Sequence, residues 1–159
     1  MHRLSHEDPT KGIRQAMQTA LNILAHRDHA VSEIRVKLQK KDIEQPVIDE
    51  VIQKLLSLDY LNDERFAEHY VRVKKEKGLG PLRILYELRQ RNITANLIDQ
   101  YLPMDEDYWA EPLAQQWTKR FGKLPTDFRQ KAKQLRFLQY RGFSMDQIRH
   151  FFQDMETTS

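Results

Sequence analysis

Apolar residues recur along this chain at intervals of three and four. From Ile13 onward, Ala16, Met17, Ala20, Leu21, Ile23 and Leu24 lie along one stripe of a helix, the spacing of an element that buries a single face. Similar stripes run through Ile34 and Leu38, Val47 to Leu55, Phe66 to Val73 and Leu82 to Leu88, and no stretch alternates as a strand would. Pro9, Gly12, Pro46, Gly78, Gly80, Pro81, Pro103, Pro112, Gly122, Pro125 and Gly142 are the expected punctuation between helices.

The stripes repeat as a set. Leu38, Leu88 and Leu138 are separated by steps of 50, as are Ile43, Ile93 and Phe143, then Ile48, Ile98 and Ile148, then Val51, Tyr101 and Phe151, then Ile52, Leu102 and Phe152. The segments EIRVKLQKKDIEQPVIDEVI, RILYELRQRNITANLIDQYL and QLRFLQYRGFSMDQIRHFF each read as a helix, a short polar turn and a second helix, and each follows another amphipathic stretch. The prediction is an all-α chain of three tandem three-helix repeats forming an elongated, curved body. A unit of that size is marginal alone and gains by stacking on its neighbours. The expected divisions are a flexible N-terminal segment 1–12, repeats at 13–61, 62–103 and 104–155, and a C-terminal tail 156–159.

Composition narrows the chemistry. With no cysteine in 159 residues, disulfides, thiolate catalysis and Cys-ligated zinc are all excluded, and a reducing compartment is expected. No leader-like apolar run opens the sequence and no stretch is long and apolar enough to span a bilayer, so the expected location is cytoplasmic with no membrane partner. The net charge of +3 conceals a strong asymmetry: Arg65 to Arg91 carries 8 Lys/Arg against 3 Asp/Glu, and Lys119 to Arg149 carries 9 against 2. Two such basic blocks point to a polyanionic partner.

Catalytic readings find little support. His26-Arg27-Asp28 spells a kinase catalytic-loop tripeptide, but no glycine-rich loop after a strand and no DFG accompany it. His26, His29 and Glu33 have helical spacing for a metal, yet polar residues at a helix end explain them as well. The chain is therefore expected to be no enzyme and to need no cofactor. Gly78-Leu79-Gly80-Pro81 resembles a phosphate loop only in its glycines and in the helix start it precedes, and a plain break between helices is the expected role. The stronger signal is Arg83, Arg89 and Arg91 interleaved with Tyr86, and Arg129, Lys131, Lys133, Arg136 and Arg141 beside Phe137 and Tyr140, which meet the electrostatic requirement of nucleic-acid contact.

The stretches LNILAHRDHAVSEIRVKL, YLNDERFAEHYVRVKKEKGLGPLRILYELRQRNI and KRFGKLPTDFRQKAKQLRFLQYRGFSMDQI, in that order, resemble the RecX regulatory proteins of bacteria, across Ile13 to Phe152. The resemblance implies a cytoplasmic regulator that binds RecA recombinase filaments on single-stranded DNA, inhibits RecA-driven ATP hydrolysis, strand exchange and coprotease activity, and so modulates recombination and DNA repair. Its implied partners are the RecA filament and the single-stranded DNA within it, with weaker binding to free DNA, and the chain is expected to act as a monomer. Where the family usually reads Gly-Tyr-Leu-Asp this chain has Asp59-Tyr60-Leu61-Asn62, and Asp59 is expected to take the left-handed turn at some cost. The filament-facing surface is expected at Arg72, Lys74, Lys75, Lys77, Arg83, Arg89 and Arg91 with Lys131, Lys133, Arg136 and Arg141. The rival readings are a helix-turn-helix-like reader of duplex DNA and a helical scaffold that binds protein alone.

Overall fold

The structure, a computed structural model, describes residues 9–158. Among them there are nine helices and no strand: α1 Pro9–His26, α2 Val31–Gln39, α3 Gln45–Ser57, α4 Asp63–Glu76, α5 Pro81–Gln90, α6 Ala95–Tyr101, α7 Glu106–Arg120, α8 Phe128–Arg141 and α9 Met145–Thr158. They form three successive three-helix sets. Of the segment set apart as 1–12, residues 1–8 lie outside the described residues and 9–12 form the start of α1; of the 156–159 tail, 156–158 belong to α9 and Ser159 lies outside.

The 50-residue recurrence is largely one of burial, with Ile43, Tyr101 and Phe151 half-buried and the other twelve positions buried. Leu38, Leu88 and Leu138 are fully buried, as are or nearly are Ile48, Ile98 and Ile148, and Ile52, Leu102 and Phe152. The backbone repeats with the same period. Asp42, Asn92 and Gly142 all have positive φ, at 60°, 56° and 105°, and each ends the middle helix of its set. In each, the N–H of the next residue donates back to the buried leucine's carbonyl (Ile43 to Leu38, 3.4 Å; Ile93 to Leu88, 3.2 Å; Phe143 to Leu138, 3.2 Å). This is a left-handed helix stop with its accompanying hydrophobic contact, and Asp, Asn and Gly are the residues that enter that region most cheaply. Asp59 takes the left-handed conformation as well, with φ 62°.

Two of the expected helix breaks do not break a helix. Gly12 lies inside α1 and Pro112 inside α7. Proline at that depth removes one backbone hydrogen bond to the preceding turn. The helix continues because Trp109, Leu113 and Trp117, spaced by four on one side of it, are all buried and hold it down. Pro46 and Pro81, by contrast, sit in the first turns of α3 and α5, where a missing N–H costs nothing.

The chain divides into two compact units, with the boundary inside α4 after Phe66. In the first, α1, α2 and α3 pack mutually around Ala16, Ala20, Ile34, Leu38, Ile48 and Ile52. Its α1–α2 corner is polar and closed: buried His29 meets the Arg27 carbonyl through Nδ1 at 2.8 Å and the Lys37 ammonium through Nε2 at 2.7 Å, while Asp63 accepts the Val31 N–H at 2.9 Å. His29 is thus held by a carbonyl and a lysine, and among the described residues no His/Cys/Asp/Glu group of three is placed to hold a metal ion. In the second unit α7, α8 and α9 pack mutually, and the indole N–H of buried Trp117 donates to Gln134 Oε1 at 2.8 Å. No helix among the described residues is long and apolar enough to cross a membrane.

Candidate nucleic-acid interface

All eleven cations of the expected surface fall in the second unit, on α4, α5 and α8 and in the turns that follow them. They separate into two groups by what their side chains touch. Arg72, Lys77, Arg89, Lys131, Lys133 and Arg136 are exposed. Lys74, Lys75, Arg83, Arg91 and Arg141 are half-buried, and each lies over an aromatic ring.

The ring contacts explain the division. Lys75 Nζ sits 4.0 Å from the centre of the Tyr108 ring, joining α4 to α7, and Lys74 lies 5.2 Å from Tyr70. The Arg91 guanidinium covers Tyr70 at 4.9 Å and donates to the Glu87 carbonyl at 2.9 Å, while the Tyr70 hydroxyl donates to the Glu87 carboxylate at 3.0 Å. Arg141 covers Phe137 at 5.4 Å and reaches the Lys77 carbonyl at 3.4 Å. Arg83 joins α5 to α8 by covering Tyr140 at 5.2 Å, with Glu87 beside it at 3.9 Å. Charges placed so fasten helices together, and part of their capacity for an outside anion is already spent.

The Gly78–Pro81 loop is also spoken for. Gly80 N–H donates to the Arg141 carbonyl at 2.7 Å and Leu82 N–H to that of Gly142 at 2.9 Å, so the start of α5 is capped by the end of α8. A phosphate contact through those N–H groups is excluded, because their hydrogen bonds are made within the protein.

Helical geometry gathers Lys133, Arg136 and Arg89 of the exposed group into stripes and leaves Lys131 on another side of α8 and Arg72 and Lys77 at α4. At about 100° per residue, Arg129, Lys133, Arg136 and Tyr140 lie within roughly 60° of one another on α8, and all four are exposed. Leu82, Tyr86 and Arg89 form an exposed stripe on α5 with a single cation. The two stripes adjoin where Arg83 of α5 meets Tyr140 of α8. A second concavity, a groove of about 430 Å³ between α4, α6 and α7, is lined by Arg72, Lys75 and Lys119 together with Tyr101 and Tyr108, and by Glu68 and Glu76. Sequence reasoning counted Lys119 within a basic block without singling it out, and passed over Tyr108. Their helical spacing carries no sign of the groove, which three different helices enclose.

This arrangement of three helical sets has counterparts of known family. Family models described as the first, second and third three-helix domains of RecX match residues 16–55, 62–102 and 106–152. Regulatory protein RecX of Pseudomonas entomophila is 38% identical over 132 residues, covering 82% of this chain and 85% of that protein. The chain belongs to the RecX family. A RecX from Pseudomonas fluorescens is 39% identical over the same length with the same coverage. Among solved structures, the crystal structure of RecX from Lactobacillus salivarius superposes with a TM-score of 0.76 at 28% identity, over 93% of this chain and all but 1% of that one (99%). A second crystal structure of a regulatory protein RecX gives 0.74 at 25% identity, covering 91% and 73%. The RecX assignment therefore stands on each of the three repeats separately and on their order.

Proposed function

We propose that this RecX-family protein binds RecA nucleoprotein filaments on single-stranded DNA and inhibits RecA ATP hydrolysis, strand exchange and coprotease activity, and so modulates recombination and DNA repair. The observation that carries this reading, beside the family's regulatory role, is the row of exposed cations Arg129, Lys133 and Arg136 on α8 together with exposed Arg89 on α5. Each phosphate neutralised releases condensed counterions, so affinity for the filament falls steeply with salt. Contacts distributed over α4, α5 and α8 act together, and modest single contacts then give lasting occupancy.

The half-buried cations Lys74, Lys75, Arg83, Arg91 and Arg141 belong to this surface chiefly as the frame that holds it. Arg72, Lys77, Arg89, Lys131, Lys133 and Arg136 are the residues that meet the filament. The deciding experiment titrates the full chain into RecA on single-stranded DNA while ATP hydrolysis is followed. Arg72→Glu, Lys77→Glu and Arg89→Glu combined should abolish inhibition with helicity unchanged. Undiminished inhibition by that variant would remove these residues from the interface, and no inhibition by the natural protein would remove the function. Preference for one duplex sequence in competition would favour a duplex reader instead.

A further inference from the structure

Tyr140 is 75% and Tyr86 61% exposed, so each offers most of its ring to an outside partner. Neither ring has an aromatic partner among the described residues. The Tyr140 ring is met by the Arg83 guanidinium at 5.2 Å, and the Tyr86 hydroxyl accepts a hydrogen bond from Gln90 at 2.8 Å. Both stand next to an exposed cation on their own helix, Tyr86 near Arg89 and Tyr140 near Arg136.

We infer that Tyr86 and Tyr140 are a stacking platform for unpaired bases of a single DNA strand, the α5 and α8 cations holding its phosphates. The inference takes its ligand from the proposed function and adds how that ligand is told from duplex. Cations alone attract either form, since both carry phosphates. A flat aromatic surface distinguishes them, because a base pair stacked within a duplex offers no free face whereas an unpaired base does. Arg83 contributes twice: it covers the Tyr140 ring without burying it, and this contact joins α5, which carries Tyr86, to α8, which carries Tyr140. Stacking is indifferent to base identity, so the platform accepts any sequence, as a protein that must act wherever a filament forms requires.

The test uses the full chain and two strands of equal length, one of thymidine and one abasic, which share phosphates and differ in bases. The natural protein should bind the abasic strand about a hundredfold more weakly, since both rings then lose their base. Tyr86→Leu and Tyr140→Leu should each weaken binding to the thymidine strand about tenfold and leave binding to the abasic strand and the salt dependence unchanged, while Tyr86→Phe and Tyr140→Phe bind as the natural protein does. Equal binding of the two strands, equal losses on both in the leucine variants, or phenylalanine variants as weak as leucine ones would each overturn the platform. So would failure to bind either strand, and RecA inhibition would then still be judged by its own titration. If the strands separate as expected while RecA hydrolysis is untouched, the platform stands and the proposed regulatory function falls.

Discussion

Gly80 and Gly142 approach so closely that neither has room for a side chain. A Cβ on Gly80 would lie 2.4 Å from the Gly142 carbonyl carbon, and a Cβ on Gly142 would lie 2.4 Å from Arg83 Cβ. Two backbone hydrogen bonds cross here, from Gly80 to Arg141 and from Leu82 to Gly142. The start of α5 and the end of α8 thereby cap each other, and the two helices are joined by main chain as well as by Arg83.

Gly80→Ala should consequently destabilise the second unit by about 2–3 kcal/mol, since a methyl group placed against backbone cannot be accommodated by a rotamer change. Denaturation followed by the fluorescence of Trp109 and Trp117, both buried in that unit, measures this directly. A loss below about 0.5 kcal/mol, the range of an ordinary surface change, would mean the close approach is not maintained in solution.

Arg89 and Arg91 are two residues apart and should behave in opposite ways. Arg91→Ala removes the cover from Tyr70 and the bond to the Glu87 carbonyl, and should cost about 1–2 kcal/mol of stability. Arg89→Ala touches only an exposed cation, so stability should change by no more than about 0.5 kcal/mol while affinity for the RecA filament falls. Equal stability losses in the two variants would contradict the division between framing and contacting charges.

The His29 imidazole is held below its ordinary value of 6.5, first by burial and then by the nearby positive charges of Arg27 and Lys37, against which the Arg27 carbonyl and Glu33 act. The unfolded chain therefore binds the proton more readily than the folded one, and the first unit should lose stability as pH falls through about 6.5 toward the lowered value. Asp63, raised above 3.8 mainly by burial, acts in the opposite sense: its contribution declines as pH rises from that value. An NMR titration in which His29 protonates below 6.5 checks the first statement, and a His29 value at or above 6.5 would refute it.

Much of this was legible from residue type and spacing. The threefold recurrence at Leu38, Leu88 and Leu138 marks buried positions because a helix packed on one side must keep that side apolar, whatever its partner. The chemistry of the turns was legible too, since Asp59 had to replace a glycine in a left-handed position and does. Local rules misplaced the breaks at Gly12 and Pro112. Trp109, Leu113 and Trp117 bury enough surface to carry α7 through its proline, and that balance depends on what packs against the helix.

Three helical sets, their order, the lack of cysteine chemistry and the concentration of positive charge in two blocks are all written along the chain. Each of these follows from composition or from a period along one chain, which a reader can measure without knowing any distance between helices. Which cations remain outward and which are folded over Tyr70, Tyr108, Phe137 and Tyr140, and that the Gly80 and Leu82 N–H groups are taken up by the end of α8, emerges only once the helices pack. Those outcomes turn on contacts such as Gly80 with Arg141, between residues far apart in sequence, where no periodicity carries the information.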